Sequence, residues 1–248
     1  MPKLTDNMVS KVIGGSNYGF SATGLRLDAS AYTLGLVVID VSGSTLSFRA
    51  EMETALKEVV KACRSNPRSD YMMLRVVLFD QVVRELHGFK LLQDCNESDY
   101  NGCLNTGGGT TALYDATYNA VKSATVYGAE LVAKEYDVNA IVFVITDGQE
   151  YPPNASTATR KMIKEALEEG VKGESLESLN SILIGLNAQG SLDQYLKELQ
   201  AECGIMEYLP IADANAKTMA RLGDWISQSV SSTSQAINTG GPSQSLAF

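Results

Sequence analysis

Soft-metal and imidazole chemistry is nearly absent from this chain: among 248 residues there are four cysteines and one histidine. Cys63, Cys95, Cys103 and Cys203 contain no CxxC pair, which excludes the usual zinc and thiol-redox motifs and predicts free thiols. Cys95 and Cys103 flank a polar loop, where a disulfide or a shared metal is the minor alternative, because no neighbouring His or second Cys pair completes a ligand set. His87 alone is available for a Ser-His-Asp relay, and its setting in VVRELHGF reads as an exposed strand running into a turn at Gly88. Cationic residues are outnumbered, 20 Lys and Arg against 29 Asp and Glu, and a net charge of -9 has the wrong sign for a phosphate backbone, so nucleic acid is not an expected partner. There is no run of 18 apolar residues to span a membrane, and the opening MPKLTDNMVSKVIGG lacks the apolar core of a signal peptide, so the expected location is cytoplasmic. GxxxxGK[ST] is missing, and DVSGS occupies the turn where a dinucleotide fold needs GxGxxG.

What is present describes a globular protein with a sizeable core: 44% of residues are apolar and 20% charged. TLGLVVID (33–40) and AIVFVITD (140–147) are continuous apolar runs ending in Asp, as expected of strands covered on both faces. Between and after them, helical spacing recurs at Met52, Ala55, Leu56, Val59, Val60 and Cys63, at Leu113, Ala116, Ala120 and Val121, and at Met219, Leu222, Trp225 and Ile226. YMMLRVVLFD (71–80) and VVRELH (82–87) are separated by one residue, too few for a parallel crossover, and form a hairpin. The predicted fold class is α/β, an open, mostly parallel sheet of about six strands with one antiparallel edge strand and helices on both faces. Residues 31–235 form the domain, residues 1–30 an N-terminal arm and residues 236–248 a flexible C-terminal tail. Tyr18, Phe20, Leu25, Leu27, Leu246 and Phe248 give the two tails enough apolar character to anchor on a neighbouring subunit or partner. The polar stretch 90–106 has no period and reads as displayed surface.

Open α/β sheets bind ligands beyond the carboxyl ends of their strands. There the chain has Asp40-Val41-Ser42-Gly43-Ser44 after the first apolar strand, Thr146-Asp147-Gly148 after the second, and Gly107-Gly108-Gly109-Thr110 opening the helix between them. Two carboxylates and three hydroxyls without sulfur or imidazole make an oxygen-only set, suited to Mg²⁺ or Mn²⁺ and poor for zinc or copper. Gly43 allows a tight bend before the following helix. Asp80, in the hairpin turn, and Asp115, on a helix, read as solvent-facing or capping residues.

The pattern Asp40-x-Ser42-x-Ser44, then Thr110 in GGTTALYDA, then Asp147 in VITDG resembles the metal-ion-dependent adhesion site of the von Willebrand factor A (vWA) domain family, in the order that family uses. The resemblance covers residues 31–235 and leaves both tails outside the pattern. It implies a vWA fold in which Ser42, Ser44 and Thr110 contact the metal directly or nearly so, while Asp40 and Asp147 act mainly through bound water. It also implies a stand-alone, intracellular and noncatalytic module for Mg²⁺-dependent protein–protein interaction, working in multiprotein assemblies and often beside AAA+ ATPases. Two carboxylates leave a bound dication near neutral and short of a full oxygen shell, so an Asp or Glu from a protein partner is expected to complete it. Two alternatives accompany this reading. In a haloacid-dehalogenase-like phosphotransferase, Asp40 would be the nucleophile and Thr146 would hold the phosphoryl group, but Ser42 stands where the second carboxylate belongs and Gly223-Asp224 lies in a helical stripe. In a structural subunit of a bacterial or phage particle, the tails would embrace neighbouring copies in a homo-oligomer or larger assembly.

Overall fold

The two apolar runs become the central strands of the computed structural model, which describes residues 8–13, 18–23, 30–67, 69–172, 175–239 and 248. In chain order the elements are β1 (Val9–Val12), β2 (Gly19–Ala22), β3 (Ala31–Asp40), α1 (Arg49–Arg64), β4 (Met72–Phe79), β5 (Val83–Leu91), α2 (Leu113–Val132), β6 (Asp137–Thr146), α3 (Arg160–Lys172), β7 (Ser178–Leu186), α4 (Ser191–Cys203), β8 (Glu207–Ile211) and α5 (Ala216–Thr239). One eight-stranded sheet runs in the order β1-β2-β5-β4-β3-β6-β7-β8. Its five strands from β4 to β8 in that order are mutually parallel, and β5 pairs antiparallel with β4 as the hairpin reading expects.

Period-two alternation along β3 explains why both faces are covered. Leu34, Leu36 and Val38 enter the core on the side of Ala116, Ala120, Ile163 and Leu196, which belong to α2, α3 and α4. Val37 and Ile39 enter the opposite core with Met52, Leu56, Leu222 and Ile226 of α1 and α5. A strand walled in on both sides takes a polar residue along its length only where a buried partner meets it, and the polar residues of β3 lie toward its ends.

The sheet is wider than the six strands expected, because part of the N-terminal arm joins it. β1 and β2 form an antiparallel pair, and β2 lies parallel to β5 with Ala22 beside Phe89. Ile13, Phe20 and Ala22 are buried in the same core as β3, with Phe20 edge-on to Phe89 at 5.8 Å. The hold is partly ionic: Arg75 of β4, 1% exposed, bonds Glu85 at 2.7 Å and Ser123 at 2.9 Å, while Glu85 accepts the Ser21 N–H at 3.2 Å and also bonds its hydroxyl. Single-sequence periodicity misses four-residue strands whose apolar partners lie some 65 residues away. At the other end α5 continues to Thr239, past the boundary drawn at 235, and the Phe248 ring packs on Trp225 at 5.9 Å and under Arg221 at 4.4 Å. The anchors named at Leu25, Leu27 and Leu246 lie outside the described residues.

His87 is not a solvated strand end. β5 runs on to Leu91, and the imidazole is fully buried between the strand and the 90–106 segment, which folds back so that Cys95, Tyr100 and Leu104 enter the core. Nδ1 faces the Gly88 carbonyl at 2.9 Å, so it carries the proton, and Nε2 accepts the Tyr100 hydroxyl at 2.7 Å. Cys63, Cys95 and Cys203 are buried free thiols and Cys103 is a half-buried one. Burial lowers the His87 pKa from 6.5 to about 4. Because the unfolded chain takes up this proton first, the stability contributed by the neutral ring is complete above pH 6.5 and declines as pH falls to about 4, by about 3 kcal/mol. An NMR titration of the single histidine should therefore show a flat Cε1–H shift down to about pH 4; a midpoint near 6.5 would mean an exposed ring.

Candidate metal centre

Strand register brings the acidic ends together. β3 and β6 pair with Ile39 beside Ile145, which sets Asp40 next to Thr146, and the Thr146 hydroxyl donates to Asp40 Oδ2 at 2.7 Å. The chain then turns over Asp40, whose Oδ1 accepts the Ser42 N–H at 2.8 Å. Ser42 Oγ and Ser44 Oγ lie 3.1 Å apart, and Ser44 donates to Asp147 Oδ1 at 2.8 Å. Asp40, Ser42, Ser44 and Asp147 are thus one hydrogen-bonded chain, graded from the inside out: Asp40 and Ser42 are buried, Asp147 is half-buried and Ser44 is exposed.

Arg49 holds this turn from below. Although charged, it is buried: Nη2 donates to the carbonyl of Ser42 at 2.9 Å and to that of Val41, and Nε donates to Thr45 Oγ1 at 3.1 Å. Its position as the first residue of α1 was the available signal, since an N-terminal side chain reaches back over the preceding turn.

The glycine loop lies against the same turn. Gly107 has φ +84°, and a Cβ there would sit 2.8 Å from the Val41 carbonyl oxygen, so only glycine fits. Gly109 passes the turn closely enough that its N lies 3.8 Å from where a Cβ on Gly43 would be. Asp80, 2% exposed, is no solvent-facing residue: it accepts the Gly108 N–H at 3.1 Å, pairs with Arg84 at 2.9 Å, and its carbonyl accepts the Ala112 N–H at 2.6 Å. Thr111 and Tyr151 exchange two backbone hydrogen bonds at 2.8 and 3.0 Å, tying this loop to the one after β6. Half-buried Thr110 stands between these two anchorages and takes no part in the hydrogen bonds joining the other four candidates.

The donor set fits a hard divalent ion. Adjacent ligands of an octahedral Mg²⁺ with bonds of about 2.0 to 2.1 Å sit about 2.9 Å apart, and the Ser42–Ser44 and Ser44–Asp147 oxygen separations are 3.1 and 2.8 Å. Among the described residues no group of three or more His, Cys, Asp or Glu side chains is arranged to hold a metal, so an ion here depends on the hydroxyls. Burial raises the Asp40 carboxyl to about 6, against the opposing pull of the hydrogen bonds from Thr146 and Ser42. Burial raises Asp147 as well, with the Ser44 hydrogen bond acting the other way.

No protein-family model and no curated protein matches the sequence. Solved structures do match. A von Willebrand factor type A protein from Catenulispora acidiphila superposes with a TM-score of 0.53 at 14% identity, over 84% of this chain and 44% of that one. The fold is vWA-like. The D319A mutant of the PilB minor pilin from Streptococcus sanguinis shares it with a TM-score of 0.58 at 12% identity, over 90% of this chain and 66% of that one. Proximal thread matrix protein 1 from the mussel byssus, with a zinc-occupied MIDAS motif, does so with a TM-score of 0.52 at 18% identity, over 83% and 47%. This chain therefore spans less than two thirds of the length of each of these solved vWA-like chains.

The raised Asp40 pKa has a testable sign. An acid held above its ordinary value is protonated first in the folded state, so in chelator the folded protein loses stability as pH rises from 3.8 through about 6, by about 1–3 kcal/mol. Asp40→Asn removes the buried charge. Thermal unfolding at pH 7.5 in chelator should give a higher midpoint for Asp40→Asn than for wild type, and a lower midpoint would contradict the desolvation account.

Proposed function

We propose that this chain is a noncatalytic, metal-dependent protein-interaction module that holds Mg²⁺, or Mn²⁺, at Asp40, Ser42, Ser44, Thr110 and Asp147. The observation that carries the reading is the carboxylate–hydroxyl chain at the ends of β3 and β6, with oxygens at ligand-to-ligand spacing. The zinc-occupied MIDAS of the mussel protein supports divalent-metal use on this fold. Ser44 and Asp147 form the open side, where a partner's Asp or Glu completes the shell. The ion supplies a positive field and open coordination positions. Asp40 and Thr146 set the turn, Arg49 locks its carbonyls, and Ser42, Ser44 and Thr110 offer neutral oxygens that leave the field largely uncancelled. Asp40 is 1% exposed with both oxygens engaged, which favours this reading over a phosphotransferase nucleophile.

A second reading, a structural subunit of a surface or particle assembly, draws support from pilus proteins among the solved vWA-like chains, a minor pilin and the pilus adhesin SpaC from Lactobacillus rhamnosus GG. The two readings differ in compartment. Free thiols favour the cytoplasm, while the pilus proteins favour the cell exterior; among the described residues no helix is long and apolar enough to cross a membrane.

Isothermal titration with MgCl₂ should give one site, weakened at least tenfold by Asp40→Ala and by Thr110→Ala. Undiminished binding in the Asp40 variant would remove the assignment. Binding to a protein partner should be lost in chelator, and also when the partner's critical Asp or Glu is changed to Ala, whereas a particle subunit should self-associate by light scattering with or without metal.

A further inference from the structure

α2 begins without a cap of its own. Its N-cap residue is Ala112, which has no side-chain acceptor, so the first N–H groups of this helix need partners from elsewhere. They find them on the loop after β6. Glu150 Oε2 accepts the Tyr114 N–H at 3.1 Å, and Ser156 Oγ accepts the Asp115 N–H at 3.0 Å. Glu150 also accepts the Ser156 N–H at 2.6 Å and its hydroxyl at 3.0 Å, so the two residues act as one unit. Asp115 returns the contact by accepting the Ala158 N–H at 2.7 Å, and the Glu150 N–H is held by the Tyr195 hydroxyl at 3.2 Å. Glu150 is 6% exposed, a depth at which a carboxylate is kept only when its oxygens are well bonded and a helix N-terminus faces it.

This clamp sits between the two halves of the candidate metal centre. Thr110 lies four residues before Tyr114, and Asp147 lies three residues before Glu150. The Thr111–Tyr151 bridge is the other rung joining the same two loops. We infer that Glu150 and Ser156 are positioning residues for the metal site, capping α2 from another loop and thereby fixing Thr110 relative to Asp147. The inference rests on the metal-site reading, but the clamp itself is a property of the metal-free chain. Removing it loosens the first turn of α2 and leaves the Thr110 loop held by Asp80 at Gly108 and Ala112 and by the Thr111–Tyr151 bridge, which lets Thr110 shift relative to the Asp40–Ser42–Ser44–Asp147 chain. The hydrogen bonds that Glu150 accepts go to the Tyr114 N–H and to the N–H and hydroxyl of Ser156.

The test uses the full chain and two measurements: Mg²⁺ affinity by isothermal titration, and hydrogen exchange at the Thr111 and Tyr151 amides in chelator. Glu150→Gln should speed exchange at both amides at least tenfold and weaken Mg²⁺ at least tenfold, with Ser156→Ala changing both in the same direction by a smaller factor. In a Thr110→Ala background, Glu150→Gln should alter the remaining Mg²⁺ affinity less than threefold, since its action runs through Thr110. A purely structural role would not produce that non-additivity. Wild-type Mg²⁺ affinity in Glu150→Gln with accelerated exchange overturns the positioning role, as does a full tenfold loss in the Thr110→Ala background. If Glu150→Gln does not fold, Ser156→Ala and its double variant with Thr110→Ala decide by the same criteria. Absence of Mg²⁺ binding by wild type, with exchange still accelerated in Glu150→Gln, overturns the metal-site reading and leaves only the capping clamp.

Discussion

A carboxylate removed from water at the end of the central strand is the constraint around which the top of this molecule is arranged. Asp40 is 1% exposed, and its charge is disfavoured enough to lift its pKa to about 6. Two neighbours offset that cost, a threonine hydroxyl from β6 and a backbone N–H from the following turn, while Asp147 adds to it; a buried arginine takes up the carbonyls the turn leaves over. On the metal-site reading proposed above, a costly anion kept beside neutral hydroxyls is the arrangement that would favour a cation.

The sheet makes such a site possible by being dry on both faces. With α2, α3 and α4 over one side and α1 and α5 over the other, polar groups along β3 and β6 are confined to the strand ends, and parallel pairing puts both acidic ends on the same edge. The antiparallel flank serves a different purpose. β5, β2 and β1 extend the sheet past β4, and the pair of buried Arg75 with half-buried Glu85, through its contact to Ser21, ties β2 to β4 and β5. His87 and Tyr100 do the same for the segment that folds over β5.

Loops around the candidate centre are held by groups that belong to other loops. Asp80 braces the glycine loop, Tyr151 bridges Thr111, and Glu150 with Ser156 finishes the start of α2. Positive-φ glycines let the chain pass within contact of the DVSGS turn, and these braces then remove the freedom that glycine brings. Precision at the site is thus collective.

The strand that ends in Asp40, the strand that Asp147 follows, and the alternation of strand and helix were readable from residue order, because a buried parallel strand reads as a continuous apolar run with its polar chemistry gathered toward its ends. The four-residue strands β1 and β2, the burial of Arg49, Asp80 and His87, and the capping of α2 by Glu150 were not readable. Asp80, His87 and Glu150 are satisfied by groups on other segments and Arg49 by the turn just before its own helix, and a single chain read by local period carries no record of which donor meets which acceptor. Sequence determined which residue types stand at the strand ends; tertiary structure decided which of them touch, because hydrogen bonds across loops form only after the sheet has set the register.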